Sequence, residues 1–308
     1  MRSVVAALVL VLGFGGSAGA DEKPLAERLA ACDQAAANPF DSTRPAGIPG
    51  VSFTAIVPGT AISACEEAAT AAPDDARIAM QLGRAYLAAK NLDAARTQFF
   101  RAYQQGNAQA AANLASLYMN GQGVPRDDTE ALRLSKIAAD QGNAQGQNSL
   151  GSLLGQGRGG PKDDMEAARL FKLAADQGFP PAQNNLGQLY QMGRGGLPKD
   201  DREAVRLFKL AADQGVASAQ AHLGFNYLSG LGGLTKDDRE AVRLFKLSAD
   251  QGNSLGQANL GFAYEHGLGG LAKDEREAAR LYKLAADQGN TGARGFLDRI
   301  NAAPAAAK

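Results

Sequence analysis

The phrase Ala-Ala-Asp-Gln-Gly occurs at residues 174–178, 211–215 and 285–289, with near copies ending at Gly142 and Gly252. Counting from Gly106, the closing glycines stand at 142, 178, 215, 252 and 289, in steps of 36 or 37 residues. A period of that length belongs to helix-pair solenoids, in which each unit packs only on its neighbours. The prediction is an all-α chain folded as a right-handed superhelical α/α solenoid. An array of this kind is not divided into catalytic domains, although 308 residues would otherwise suggest about two.

Composition fits that architecture. Hydrophobic residues at 45% and charged residues at 21% give a globular balance, and aromatics at 6% with no Trp suit thin, closely packed helices. Thirty-two basic residues cancel 32 acidic ones, so neither nucleic acid nor an anionic membrane is favoured as a partner.

The first twenty residues read as an export signal. Arg2 supplies a positive start, Val4 to Leu12 an apolar run, and Ala18-Gly19-Ala20 a small-residue cleavage pattern before Asp21. The apolar run is too short for a stable span, and no later segment approaches the length of one, so the expectation is an exported protein, periplasmic or secreted. Export changes how Cys32 and Cys65 read, because an oxidising compartment allows an isolated pair to bond. Cys32 falls in a helical stretch, Leu25 to Ala37, and Cys65 in another, Ala61 to Ala72. A disulfide would staple the two, with two buried free thiols as the alternative. No His lies near either cysteine in sequence, which argues against a catalytic thiol.

One repeat, Phe179 to Gly215, reads as helix, glycine turn, helix. Ala182, Leu186, Gly187 and Tyr190 share a helix face. A mid-helix glycine is costly, so the recurrence of Gly187 as Gly151, Gly224 and Gly261 predicts a close helix crossing. Gly193, Gly195 and Gly196 then break the helix, as positive-φ turn positions require. The Gly-Lys-Ser/Thr ending of a phosphate loop is missing. Asp200 and Glu203 have capping-box spacing, repeated by Asp163 with Glu166, Asp237 with Glu240 and Asp274 with Glu277. Carboxylates paired in every repeat serve folding rather than acid and base catalysis. Ala204, Leu207, Phe208, Ala211 and Ala212 form the apolar stripe of the second helix.

Leu-Gly-x-x-Tyr, the Gly-x-Gly-Gly turn, Lys-Asp-x-x-Glu-Ala-x-Arg-Leu-Phe-Lys-Leu-Ala-Ala and the Gln-Gly close resemble the Sel-one-like repeat family. The likeness covers five copies over 107–289, followed by a capping helix at 290–301 and a tail at 302–308. Residues 73–106, with Leu82, Gly83, Tyr86 and a short loop around Asn91, resemble a tetratricopeptide repeat. Residues 21–72 resemble the disulfide-bearing leaders that precede such arrays in some exported bacterial proteins.

In relatives of this kind the first helices usually line the concave side, which implies a groove and a protein or peptide partner. Its solvent-facing positions are expected to be Asn113, Asn148, Asn184, Asn185, Asn226 and Asn259, together with Gln188. His222, Phe225, Phe262 and His266 complete the set. Amide side chains donate and accept at once, which suits the backbone of an extended peptide, and Phe225 and Phe262 would add apolar contact. His222 and His266 are the only histidines. With no paired ligand at metal spacing and no Ser-Asp partners, they imply neither a metal, nor a cofactor, nor nucleophilic catalysis. The resemblance therefore points to a non-enzymatic adaptor. Its competitor is β-lactam or cell-wall-fragment binding or hydrolysis, as in cysteine-rich members, from which this chain departs by having no cysteine in any repeat.

Overall fold

The computed structural model describes residues 23–302. The export signal expected at residues 1–20 and nearly all of the tail expected at 302–308 fall outside that range. The ordered elements are fifteen α-helices and a 3-10 turn at Phe53–Ala55, with no strand among the described residues. A leader pair, α1 (Leu25–Ala36) and α2 (Pro58–Ala71), is followed by α3 (Ala76–Ala88) and α4 (Leu92–Gln104). Five further pairs succeed them: α5 (Ala108–Asn120) with α6 (Asp128–Asp140), α7 (Ala144–Gln156) with α8 (Asp164–Asp176), and α9 (Pro180–Met192) with α10 (Asp201–Asp213). The series continues with α11 (Ala217–Ser229) and α12 (Asp238–Asp250), then α13 (Ser254–His266) and α14 (Glu275–Asp287), before α15 (Thr291–Ala302) closes it. Each helix packs on its sequence neighbours, and α5 also touches α7 and α11 touches α13. Contact between successive first helices places them on the inside of the curve.

The recurring phrase is a helix stop. In α10 the amide of Gly215 donates to Ala212 O (2.9 Å) and that of Val216 to Ala211 O (3.1 Å), while Gly215 takes φ +85°. These are the two bonds of a Schellman motif, and the left-handed residue has to be glycine for want of a Cβ. The Gln of the phrase has a task that spacing did not disclose. Gln177, Gln214, Gln251 and Gln288 donate through Nε2 to the Oε1 of Gln147, Gln183, Gln220 and Gln257, tying the ends of α8, α10, α12 and α14 to the first helices of their own repeats.

The predicted close crossing is present, and its partner is an aromatic ring. A Cβ placed on Gly187 would lie 2.8 Å from Phe208; the same holds for Gly151 against Phe171 (2.9 Å) and Gly224 against Phe245 (2.7 Å). Gly83 and Gly261 meet Phe99 and Tyr282 in the same way. All five rings are buried. In the first of the five pairs both partners change together, to Ala115 and Ser135 at the same registers.

The capping box is half formed. Asp200 accepts from the amides of Arg202 (2.9 Å) and Glu203 (3.0 Å), as a cap should. Glu203 does not return the bond. The Asp200 amide already donates to Tyr190 O (2.9 Å), and the Glu203 carboxylate grips Arg206 at 2.8 and 2.6 Å. The turn before the cap joins repeats: a Cβ on Gly195 would stand 2.6 Å from Asp164 O of the preceding repeat. Arg158 binds Asp128 across that joint, and Arg194 binds Asp164 (3.1 Å); in the next two repeats Leu231 and Leu268 take the arginine's place.

In the leader, Cys32 and Cys65 are disulfide-bonded, and both are fully buried among Ala36, Ala61, Ala68 and Ile78. The second leader helix begins at Pro58, three residues before the predicted start at Ala61. Proline is tolerated in a first turn because its missing N–H would be unpaired there anyway.

Candidate inner groove

Counting from the start of each first helix, the sixth and ninth residues point to the inner side. The sixth positions are Asn113, Ser149, Asn185, His222 and Asn259; the ninth are Ser116, Ser152, Gln188, Phe225 and Phe262. Asn113, Asn148, Asn185, Gln188 and Asn259 are partly exposed, as expected. Two expected groove positions are not on the surface. Asn226 is 0% exposed and Asn184 4%. Asn226 is the tenth residue of α11, where the other first helices have Leu117, Leu153, Leu189 and Ala263, so it occupies a core position. It is made tolerable there by accepting from Gln191 Nε2 (3.2 Å) and donating to His222 O (2.7 Å). Asn184 is a fifth residue, a register it shares with Ala112, Asn148, Ala221 and Ala258, and donates to Asn185 Oδ1 at 3.4 Å. The burial of Asn226 is readable in the register; that of Asn184 is not, because Asn148 at the same register is partly exposed.

The exposed amides engage one another. Asn185 Nδ2 donates to Asn148 Oδ1 (3.0 Å) and Gln145 Nε2 to Asn113 Oδ1 (3.1 Å), in each case between first helices of adjacent repeats. An amide has two donors and two acceptor lone pairs, so Asn148 and Asn185 retain capacity for a ligand, whereas Asn113 Oδ1 already accepts from both Gln109 and Gln145 and its Nδ2 is buried. Between the second and third repeats, Ser152, Gln156, Asn185, Gln188 and Met192 line a depression of ≈ 150 Å³. That is below the roughly 300 Å³ at which drug-sized ligands are usually enclosed.

The later repeats change character. Phe225 is 46% exposed. Phe262 is partly buried against the cluster around Tyr282 and lies 4.1 Å from the His266 ring, whose Nδ1 is 2.9 Å from Phe262 O. His222 stacks on Phe208 at 4.9 Å, and burial pushes its pKa down to about 4. It is therefore neutral at pH 7 and adds no charge to the groove. One inner residue escaped the sequence reading: Arg84, ninth in α3, is 5% exposed and donates to the carbonyls of Ala36 and Val51. Among the described residues no cluster of three His, Cys, Asp or Glu could hold a metal ion.

The repeated pattern has counterparts in known proteins. The Sel1 repeat family model matches residues 108–143, 144–179, 180–216, 217–253 and 254–290. A Sel1 repeat protein from Oxalobacter formigenes is 27% identical, with 74% of this chain and 92% of that one covered and a TM-score of 0.61. A protective antigen with an SLR fold, c5321 from uropathogenic Escherichia coli, is 32% identical over 80% of this chain, with a TM-score of 0.54. The present chain spans about half of that antigen, 52% of its length. No curated protein matches. Five consecutive matches covering well over half of the chain, on helix pairs whose glycine, aromatic and cap positions recur, show that this protein belongs to the Sel1 repeat family.

Proposed function

We propose that the protein is an exported, non-enzymatic adaptor whose inner groove holds a protein or an extended peptide. Sel1 solenoids are in general protein-interaction modules, and the site in this chain is carried by one observation. Phe225 presents a large apolar side chain to solvent at a position where Ser116, Ser152 and Gln188 serve the same fold. The fold is served equally well by Ser or Gln at that register, which supports a role for the ring in binding. The amides at Asn148, Asn185 and Asn259 supply donors and acceptors for a peptide backbone beside it. Export is supported by the Cys32–Cys65 bond, since structural disulfides persist in oxidising compartments. No helix among the described residues is long and apolar enough to cross a membrane.

The test is a photo-crosslinking amino acid placed at residue 225 and, as control, at residue 210 on the outer surface, where Leu210 is 39% exposed. Expression in the source cells should yield an adduct with a discrete protein from residue 225 only. Equal adducts from both positions, or none from residue 225, would remove the groove reading.

A further inference from the structure

The starts of the first helices follow a rule that Phe179 breaks. Asn107, Asn143 and Asn253 cap α5, α7 and α13 through their side chains, accepting from Ala110, Gly146 and Gly256 at 2.8 to 3.0 Å. Phe179 stands at the same position before α9 and offers no side-chain cap. Val216 is uncapped as well, and each of the two packs into the adjoining core, so a missing cap alone signifies little. What distinguishes Phe179 is a second ring. Phe40, from the leader, meets it edge-on at 5.2 Å with an interplanar angle of 85°.

Phe40 belongs to the loop between α1 and α2, whose neck is closed by the Val51 amide donating to Ala37 O (2.7 Å). The neck is held to α3 by Arg84, which donates to Ala36 O and to Val51 O (2.9 Å). Arg84 occupies the inner register of Gln188, Phe225 and Phe262. Its burial pulls its pKa down to about 10 against the opposing effect of Asp41, a residue of the same loop. The loop is thus anchored on α3 and at the residue that precedes α9, two first helices with α5 and α7 between them in the array. A groove-register side chain binds it through main-chain carbonyls, which is the mode expected for an extended peptide.

We infer that the loop Ala37–Val51 is an internal occupant of the groove, a latch that closes its N-terminal end and competes there with an outside peptide. The competition rests on the groove reading; the latch itself does not. A partner is then admitted first at Phe225 and Phe262, and the end near Asn113 opens when the Phe40–Phe179 contact parts. The Cys32–Cys65 bond brackets the loop and keeps it tethered when lifted.

Two variants of the full mature chain test this. Phe179→Asn restores the capping residue used at Asn107, Asn143 and Asn253, and Phe40→Ala removes the other ring. In both, hydrogen exchange of the loop amides at Thr43, Arg44 and Ile48 should accelerate by roughly tenfold, the upper end of what an aromatic pair holds closed. Because Phe179 also packs on the core beside Ala174 and Ala182, Phe179→Asn should lower the thermal midpoint somewhat, and Phe40→Ala is the variant that isolates the ring contact. Unchanged exchange overturns the latch. For the competition, the probe is a fluorescein-labelled peptide of residues 37–51. It should bind Phe40→Ala roughly tenfold more tightly than the wild type. Equal affinity for the two, or binding to neither, overturns the competition, and the crosslink at residue 225 remains an independent check of the groove.

Discussion

The second helices α8, α10 and α12 share Arg-Leu-Phe-Lys-Leu at residues 169–173, 206–210 and 243–247, whereas the ninth residue of the first helices runs Ser116, Ser152, Gln188, Phe225, Phe262. The same fold accepts serine, glutamine and phenylalanine at one inner register, while the corresponding segment of these three second helices does not vary. The difference separates two kinds of demand. Each second helix must fill the glycine notch, end in a Schellman turn and meet the next repeat, so its residues are fixed by packing. At Phe225 the inner ninth position touches little of the fold and is free to answer to a partner, whereas Phe262 at the same register also packs on the Tyr282 cluster.

Two phenylalanines one helix apart make the sharpest test of that division. Phe208 is fully buried against Gly187, and its replacement by Ala should cost about 3–5 kcal/mol as cavity and transfer terms combine. The coupling is checkable as well: Gly224→Ala alone should be destabilising, with a Cβ at 2.7 Å from Phe245, and much less so when joined to Phe245→Ser, the combination that Ala115 and Ser135 already represent. Denaturant unfolding of the single and double variants measures it, and additive costs would contradict the pairing.

Next in size is the leader. Loop-closure entropy for a separation of 33 residues gives roughly 3–4 kcal/mol to the Cys32–Cys65 bond. Reduction should therefore loosen α1 and α2 while the repeats, each stabilised by its neighbours, melt as before. Hydrogen exchange resolved by segment reads this, and uniform loosening along the whole solenoid would mean that the leader is integral to the array.

A smaller effect concerns His222. Its folded-state pKa of about 4 lies below the ordinary value near 6.5, so the neutral ring stabilises the fold. That contribution is complete above pH 6.5, declines as pH falls, and is lost by pH 4. It is on the order of 2 kcal/mol once partial solvent access is allowed for. His222→Asn, which installs the residue found at Asn185 and Asn259, should flatten the acid limb of stability between those pH values. Identical acid limbs in the two proteins would show that the ring is not the sensor.

Most of the scaffold was legible because packing constraints are written locally. The glycine at position 187 announced a close approach, the Asp at 200 a helix start, and the Gly at 215 a stop. Partners distant in sequence were not legible. Glu203 has capping-box spacing, yet the competing claims of Arg206 and the Tyr190 carbonyl decide its fate. On the inner surface, the chemistry of Asn226 suggests a lining residue, although Leu117, Leu153 and Leu189 at its register announce a buried position. The Phe40–Phe179 contact has a sequence trace only in the break at 179, and nothing local reveals which ring it meets.

The smallest expected change in stability belongs to Phe225, and it bears most directly on function. The ring is nearly half exposed, with no stacking partner among the described residues, so Phe225→Ala removes little buried area. Its effect on unfolding should stay within about 0.5 kcal/mol, against the several lost at Phe208. If the inner register serves recognition, the same substitution should abolish capture by the 225-facing groove, read with the crosslinker moved to residue 188. Phe262→Ala should fall between the two, because that ring packs on the Tyr282 cluster and on His266 as well as facing inward. A variant series in which the loss of stability shrinks from 208 through 262 to 225 while the loss of capture grows in the same order would separate fold from function on one aromatic residue type. Loss of stability at Phe225 comparable with that at Phe208 would place its ring in the core and end the distinction.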